Sequence, residues 1–208
     1  MKRKVLITGG NGDIAKAIVG QLEETGLYDV FAPGRSEMDV TDVGSIRAAM
    51  EKYQPDILVN NAGYVVPRSI RDADLEVIKR HIDVNLTAVF NCTAIGLQVN
   101  PSLEIVNIGS SAATKVHATW SEYCATKAAV VMATQCWAAD GLFAVCVSPG
   151  RTRTKMRKGL FPDENQDTLL DPNDFAKVVV RAIMKEYPSG SHINVTKQNV
   201  KELINETH

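Results

Sequence analysis

What most limits the folds open to this chain is a strict alternation of short apolar runs with longer amphipathic stretches. Residues 4–8, 28–32, 56–60, 103–108, 143–147 and 192–195 each read as a strand, rich in β-branched side chains. A further, very short strand is expected to end at Asp39 and Val40, making seven. Helical patterns lie between them. One spans residues 13–25 and is closed by Gly26, and another spans 42–53 with Thr41 or Asp42 as its N-cap. Residues 72–98 read as two helices broken near Asp83, 121–140 as one ended by Gly141, and another starts near Pro172. Alternation of this kind implies right-handed crossovers and a parallel sheet with helices on both faces. The unbroken apolar run at 143–147 suits a central strand covered on both sides. No repeat, linker or charge block marks a second domain, so residues 1–208 are expected to form one, with the last dozen polar and frayed.

Composition narrows the function. The 208 residues carry a net charge of −1, with 45% hydrophobic and 23% charged. That balance excludes a disordered or collagen-like chain and argues against broad binding to nucleic acid or an anionic membrane. No apolar stretch in the sequence approaches the ~20 residues that span a bilayer. The basic start Met1-Lys2-Arg3-Lys4 is followed by only Val5, Leu6 and Ile7, too short for a secretory signal, and a cytoplasmic protein is expected. Cys92, Cys124, Cys136 and Cys146 show no metal-ligand spacing, so no metal is expected and buried free thiols are. The Asn-x-Thr triplets at Asn85, Asn91, Asn194 and Asn205 have no role in such a chain.

In doubly wound sheets, ligands bind beyond the carboxyl ends of the strands, and the unusual polar residues of this chain fall there. Thr8-Gly9-Gly10-Asn11-Gly12-Asp13-Ile14 follows the first strand and opens a helix. Glycines let the backbone approach a pyrophosphate, and the helix N-terminus attracts its charge. Asn60-Asn61-Ala62-Gly63 and Gly109-Ser110-Ser111 follow two later strands. Tyr123 and Lys127, four apart, project from one helical face.

These elements, in this order, resemble the short-chain dehydrogenase/reductase family of the classical type, over residues 4–195. The resemblance rests on Thr8-Gly9 with Ile14, Asp39-Val40, Asn60-Asn61-Ala62-Gly63, Asn85, Ser110, Tyr123 with Lys127, and Pro149-Gly150 with Thr154. It implies a Rossmann-type sheet in the order 3-2-1-4-5-6-7 and an oxidoreductase that moves a hydride between a nicotinamide and a carbonyl or alcohol. Tyr123 would be the general acid/base, and Lys127 would lower its pKa and bond the nicotinamide ribose. Ser110 would stabilise charge on the carbonyl oxygen, and Asn85 would hold a water linking Lys127 to solvent. Asn11, Gly12 and Ile14 would line the phosphate loop. Asn61, Ala62 and Gly63 would line the middle of the cofactor site, Asp39 and Val40 the adenine edge, and Pro149, Gly150, Thr152 and Thr154 the nicotinamide end. The loop departs from the family's glycines at Asp13 and Ala15, and Asp13 is expected to cap the helix instead.

No carboxylate stands at the end of the second strand, where Arg35 and Ser36 could meet a 2′-phosphate; NADP(H) is therefore expected, with NAD(H) the alternative. The substrate pocket is expected from 112–120, from Tyr64, Val65 and Val66, and from a small lid at 155–171. Arg151, Arg153, Lys155, Arg157 and Lys158 lie there, either as a solvated face or as the mark of an anionic substrate. His81 is expected at the surface, His117 as an incidental loop residue or near the pocket mouth, Trp137 in packing, and Trp120 in packing or against substrate. Family members associate through two long helices, here about 85–98 and 121–140, so a homodimer or homotetramer is implied. Two other readings are a silent NADP(H)-binding sensor and a sugar-nucleotide epimerase or dehydratase. The full Asn85, Ser110, Tyr123, Lys127 set favours the enzyme over the first, and the absence of a larger C-terminal region disfavours the second.

Overall fold

A computed structural model describes residues 2–205. Six parallel strands form one sheet: β1 (Arg3–Ile7), β2 (Tyr28–Phe31), β3 (Ile57–Asn60), β4 (Glu104–Ile108), β5 (Ala144–Pro149) and β6 (His192–Val195). Their order is β2-β1-β3-β4-β5-β6, so the chain leaves β1 to one side and returns on the other. The described residues thus hold six strands, not the seven expected. Around Asp39 and Val40 the backbone is satisfied locally instead of by a ladder: the Asp39 N–H donates to Ser45 Oγ at 2.9 Å, and the Thr41 N–H to Asp39 Oδ1 at 2.9 Å. Met38 and Val40 still bury their side chains, which explains the strand-like pattern.

The sheet's alternation assigns its two faces. Val5, Ile7, Ile57, Val59, Val106, Ile108, Val145 and Val147 pack one way, against α1 (Asp13–Thr25) and α7 (Pro172–Ile183). Leu6 and Leu58 point the other way, toward α2 (Val43–Tyr53) and α4 (Ala88–Val99), while Cys146 meets α5 (Ser121–Ala139). That second face carries a buried polar ladder. Asn60 Nδ2 donates to Asn107 Oδ1 at 2.9 Å and to Thr93 Oγ1 at 3.2 Å, and Asn107 Nδ2 donates to Thr134 Oγ1 at 2.8 Å. Buried amides must be paired, so these bonds fix α4 and α5 at one height on the sheet.

The expected break near Asp83 is absent. α3 (Leu75–Ile82) runs through a π turn, Asp83–Thr87, directly into α4. The resulting helix, Leu75–Val99, is long and apolar enough by length and composition to cross a membrane; Glu76, Lys79, Arg80, His81 and Asp83 interrupt its apolar run in the sequence. Its Ala88, Val89, Cys92 and Ile95 are buried against the fold's own core. The expected frayed end is likewise helical up to its last described residue: α8 (Val200–Asn205) buries Val200 and packs Leu203 and Ile204 on α7's side of the sheet. The end of the expected frayed stretch, 206–208, lies outside the described residues. Of the thiols, Cys92 and Cys146 are buried as expected, but Cys136 is exposed and Cys124 only half-buried.

Candidate active site

The strands' carboxyl ends meet at the divergence between β1 and β3. Thr8 Oγ1 accepts the Asn61 and Ala62 N–H groups at 2.9 and 3.0 Å, and Asn61 Nδ2 donates back to the Thr8 carbonyl at 2.9 Å. These bonds hold two loops side by side with a cleft between them. The loop after β1 can run so close only because it lacks side chains. Gly9 has φ +70°, and a Cβ there would sit 3.0 Å from the Ala62 Cα; at Gly10 a Cβ would lie 1.9 Å from the Ala32 carbonyl oxygen. Gly12 then caps α1 without any side-chain bond, leaving first-turn N–H groups for a ligand.

A cavity of about 580 Å³ opens over this loop, a size typical of ligand sites. Gly9, Asn11, Gly12, Asp13 and Ile14 line it from one side, and Asn61, Ala62 and Gly63 from the other. Arg35, Asp39 and Val40 lie at one end, with Tyr123, Lys127, Pro149 and Thr154 at the other. A second cavity of about 640 Å³ adjoins it, lined by Ser110, Gly150 and Thr152 among others. Ile14, Tyr123, Pro149, Thr154 and Met156 face both. The glycine cradle, the open helix end and the length of this cleft fit a dinucleotide.

At the junction, α5 presents Tyr123 and, one turn on, Lys127. Lys127 is 4% exposed, and its Nζ donates to the Ile108 carbonyl at 2.9 Å. Burial pulls its pKa down to about 8. Burial pushes the Tyr123 phenol above its ordinary value, and a hydrogen bond with Ser110 opposes that rise. The balance runs against the expected lowering by Lys127, because desolvation outweighs the Ser110 hydrogen bond. The Lys127 Nζ lies 5.9 Å from the Tyr123 ring centre and is turned toward the backbone. Ser110 Oγ also accepts the Ala112 N–H at 3.1 Å, which fixes the hydroxyl beside the phenol.

The short chain dehydrogenase family's sequence profile matches residues 4–165. This chain belongs to the short-chain dehydrogenase family. It is 30% identical, over 99% of its length, to a bifunctional ribulose 5-phosphate reductase/CDP-ribitol pyrophosphorylase of Haemophilus influenzae, and spans 46% of that protein. It is 28% identical to a 3-oxoacyl-[acyl-carrier-protein] reductase of Vibrio harveyi, over 91% of this chain and 94% of that one. A solved short chain dehydrogenase of Burkholderia cenocepacia, in complex with NADP, superposes with a TM-score of 0.75 at 26% identity, covering 93% and 96% of the two chains. Membership makes this dehydrogenase an NAD(P)-dependent oxidoreductase.

Other expected site residues of the dehydrogenase stand differently. Asn85, fully buried in the π turn, lines neither cavity: its Nδ2 donates to the Tyr64 carbonyl at 2.7 Å, and its Oδ1 accepts the Tyr64 N–H at 2.8 Å. Both ends of the amide are thus spent on one backbone unit behind the cleft. Thr8 supports the cleft without lining it, and Ser36 is exposed outside it. Asp13 does not cap α1; its Oδ2 accepts the Lys155 N–H at 2.6 Å. The basic cluster does not form one site. Arg151 and Arg157 face the second cavity but both bond Glu164, Arg153 pairs with Asp171, and Lys155 lines the first cavity. Lys158 lines neither. The expected lid, 155–171, contains α6 (Lys155–Leu160) and a short 3₁₀ turn, Gln166–Thr168.

His81 is buried, not at the surface: its Nε2 accepts the Val66 N–H at 3.2 Å, and its Nδ1 lies 3.0 Å from the Val77 carbonyl. His117 and Trp120 both line the second cavity, and Trp137 packs edge-on against Phe90. Sequence reasoning missed Arg80, in the first cavity and 4.8 Å over the Tyr64 ring, and Lys197 in the second, whereas Lys115 falls within the expected 112–120. Lys197 follows β6, so the rule of strand ends points to it; nothing in the helical pattern marks Arg80.

Proposed function

We propose that the chain uses NADPH to reduce a small carbonyl compound bearing an anionic group, or runs the reverse alcohol oxidation. The observation that carries this reading is the meeting of Ser110, Tyr123 and Lys127 where the two cavities join. The bound nicotinamide supplies the hydride. A phenol raised by burial stays protonated near neutrality, so Tyr123 is poised to give its proton to the substrate oxygen. Ser110 donates to the same region and stabilises charge on that oxygen. Lys127, held at about 8, sits where its charge can change near working pH. Asn85 serves from behind, fixing Tyr64 in the cleft wall.

The preference for NADP(H) over NAD(H) is supported by Arg35 at the end of β2 and by Arg80 across the same cleft. Asp39 is the carboxylate nearby, but its bonds to Thr41, and then to Arg35, hold its pKa below the ordinary range and engage its oxygens. The Burkholderia cenocepacia relative holds NADP.

The anionic substrate is supported by the second cavity. Lys115, His117, Arg151, Arg157 and Lys197 line it, and no described carboxylate does. Glu164 takes both arginines, so Lys115 and Lys197 are the lining cations outside the described ion pairs. The Haemophilus influenzae relative is named for a phosphorylated ketose.

NADPH consumption over pairs of phosphorylated and unphosphorylated ketoses tests the proposal. The phosphorylated member is expected to show the lower KM, with Lys115→Ala and Lys197→Ala erasing the difference. Equal KM values within each pair would remove the anion from the account, and equal use of NADH would remove the NADP preference.

A further inference from the structure

The helix that separates the two cavities has no buried residue of its own. In α6, Lys155 faces the first cavity, Met156 both, and Arg157 and Leu160 the second. Most of its polar bonds are internal to one excursion of the chain. Thr154 Oγ1 accepts the Arg157 N–H at 3.1 Å, and Arg157 forks onto Glu164 at 2.7 and 2.8 Å. Such bonds hold the excursion together without fixing it to the rest of the fold. At its far end, Phe161 faces Trp120 with ring centres 6.1 Å apart. At its near end, the bond from the Lys155 N–H to Asp13 Oδ2, 2.6 Å long, spans 142 positions of sequence. Asp13 stands on a rigid base, because Ala15, Ala17, Ile18 and Leu22 lock α1 into the core.

We propose that Asp13 is a positioning residue for the substrate cavity: by accepting the Lys155 amide it ties α6 to the glycine loop. Asp13 occupies a place where the family's loop carries glycine, and it reaches the partition, not its own helix end. The carboxylate lines the first cavity while acting on the second, so the wall of the cofactor cleft sets the width of the substrate site. This inference rests on the reading of the first cavity as the cofactor's and the second as the substrate's.

The bond can be cut from either side. Asp13→Ala removes the acceptor. Lys155→Pro removes the donor N–H together with the side chain, whose loss alone Lys155→Ala reports; the site is a helix N1 position that favours proline, after a Thr154 whose φ −132° and ψ 158° suit the residue before one. Asp13→Asn keeps an acceptor, and Lys155→Ala keeps the donor. Two readouts apply: amide hydrogen exchange across 156–161 in the protein without cofactor, and substrate KM against kcat with saturating NADPH. A bond to a charged acceptor implies that Asp13→Ala and Lys155→Pro each raise exchange about tenfold. They are also expected to raise KM about tenfold, more than they lower kcat. In the exchange readout Asp13→Asn and Lys155→Ala stay near wild type, and the double variant is no worse than either single one. Unchanged exchange in Asp13→Ala and Lys155→Pro, or equal effects in all four variants, would overturn the proposal. If wild-type protein binds no NADPH by fluorescence titration, the cofactor reading fails instead, and the exchange result still decides the tether.

Discussion

Lys127 shows most clearly how one residue's surroundings set its chemistry. An ordinary lysine holds its proton to about pH 10.5, and burial brings this one down to about 8. Below pH 8 both folded and unfolded chains carry the charge, and the fold bears the full cost of burying it. Between 8 and 10.5 the unfolded chain binds more protons, so stability rises with pH. Wild type is therefore expected to gain stability relative to Lys127→Met as pH climbs from 8 to 10, seen as converging or crossing urea midpoints; a constant difference would contradict the shift. At this scale the sequence was informative about identity and less so about orientation. Tyr123, Lys127 and Ser110 converge because strand ends and helical spacing bring them together. What Asp13 and Asn85 bond to depends on Lys155 and Tyr64, whose positions no local pattern encodes.

Among the elements, the glycine loop is the most constrained. A Cβ at Gly10 would strike the Ala32 carbonyl oxygen, while one at Gly20, inside α1, meets nothing within 4 Å. Gly10→Ala is expected to destabilise the fold by about 1–3 kcal/mol, because backbone must move. Gly20→Ala is expected to stabilise it by about 0.5–1 kcal/mol, because alanine loses less freedom in a helix. Thermal melts of the two variants should move in opposite directions; a harmless Gly10→Ala would contradict the close approach. The strand and helix order was legible from periodicity, since each of the six observed strands has an apolar run. Two of the departures share a cause. Met38 and Val40 alternate like a strand but bury into α2's cluster without a partner strand, and the polar residues near Asp83 look like a break but fit a π turn. Periodicity reports burial, and burial does not by itself reveal which backbone geometry achieves it.

For the whole molecule, α4 and α5 leave Phe90 and Met132 44% and 60% exposed. We expect these faces to meet in a homodimer or homotetramer. Sedimentation should show an oligomer that Met132→Asp dissociates; a monomeric wild type would contradict it. The layered α/β architecture follows from alternation and the strand order from the family resemblance, whereas the division of space into two joined cavities required the folded lid.

On the proposed reading, Tyr123, at the junction of those cavities, donates the proton that completes carbonyl reduction. The direct measurement is NADPH oxidation by Tyr123→Phe beside NADPH affinity from fluorescence. A loss of about 10²–10⁴-fold in kcat with affinity retained is the expected result. Turnover at the wild-type rate would contradict the claim.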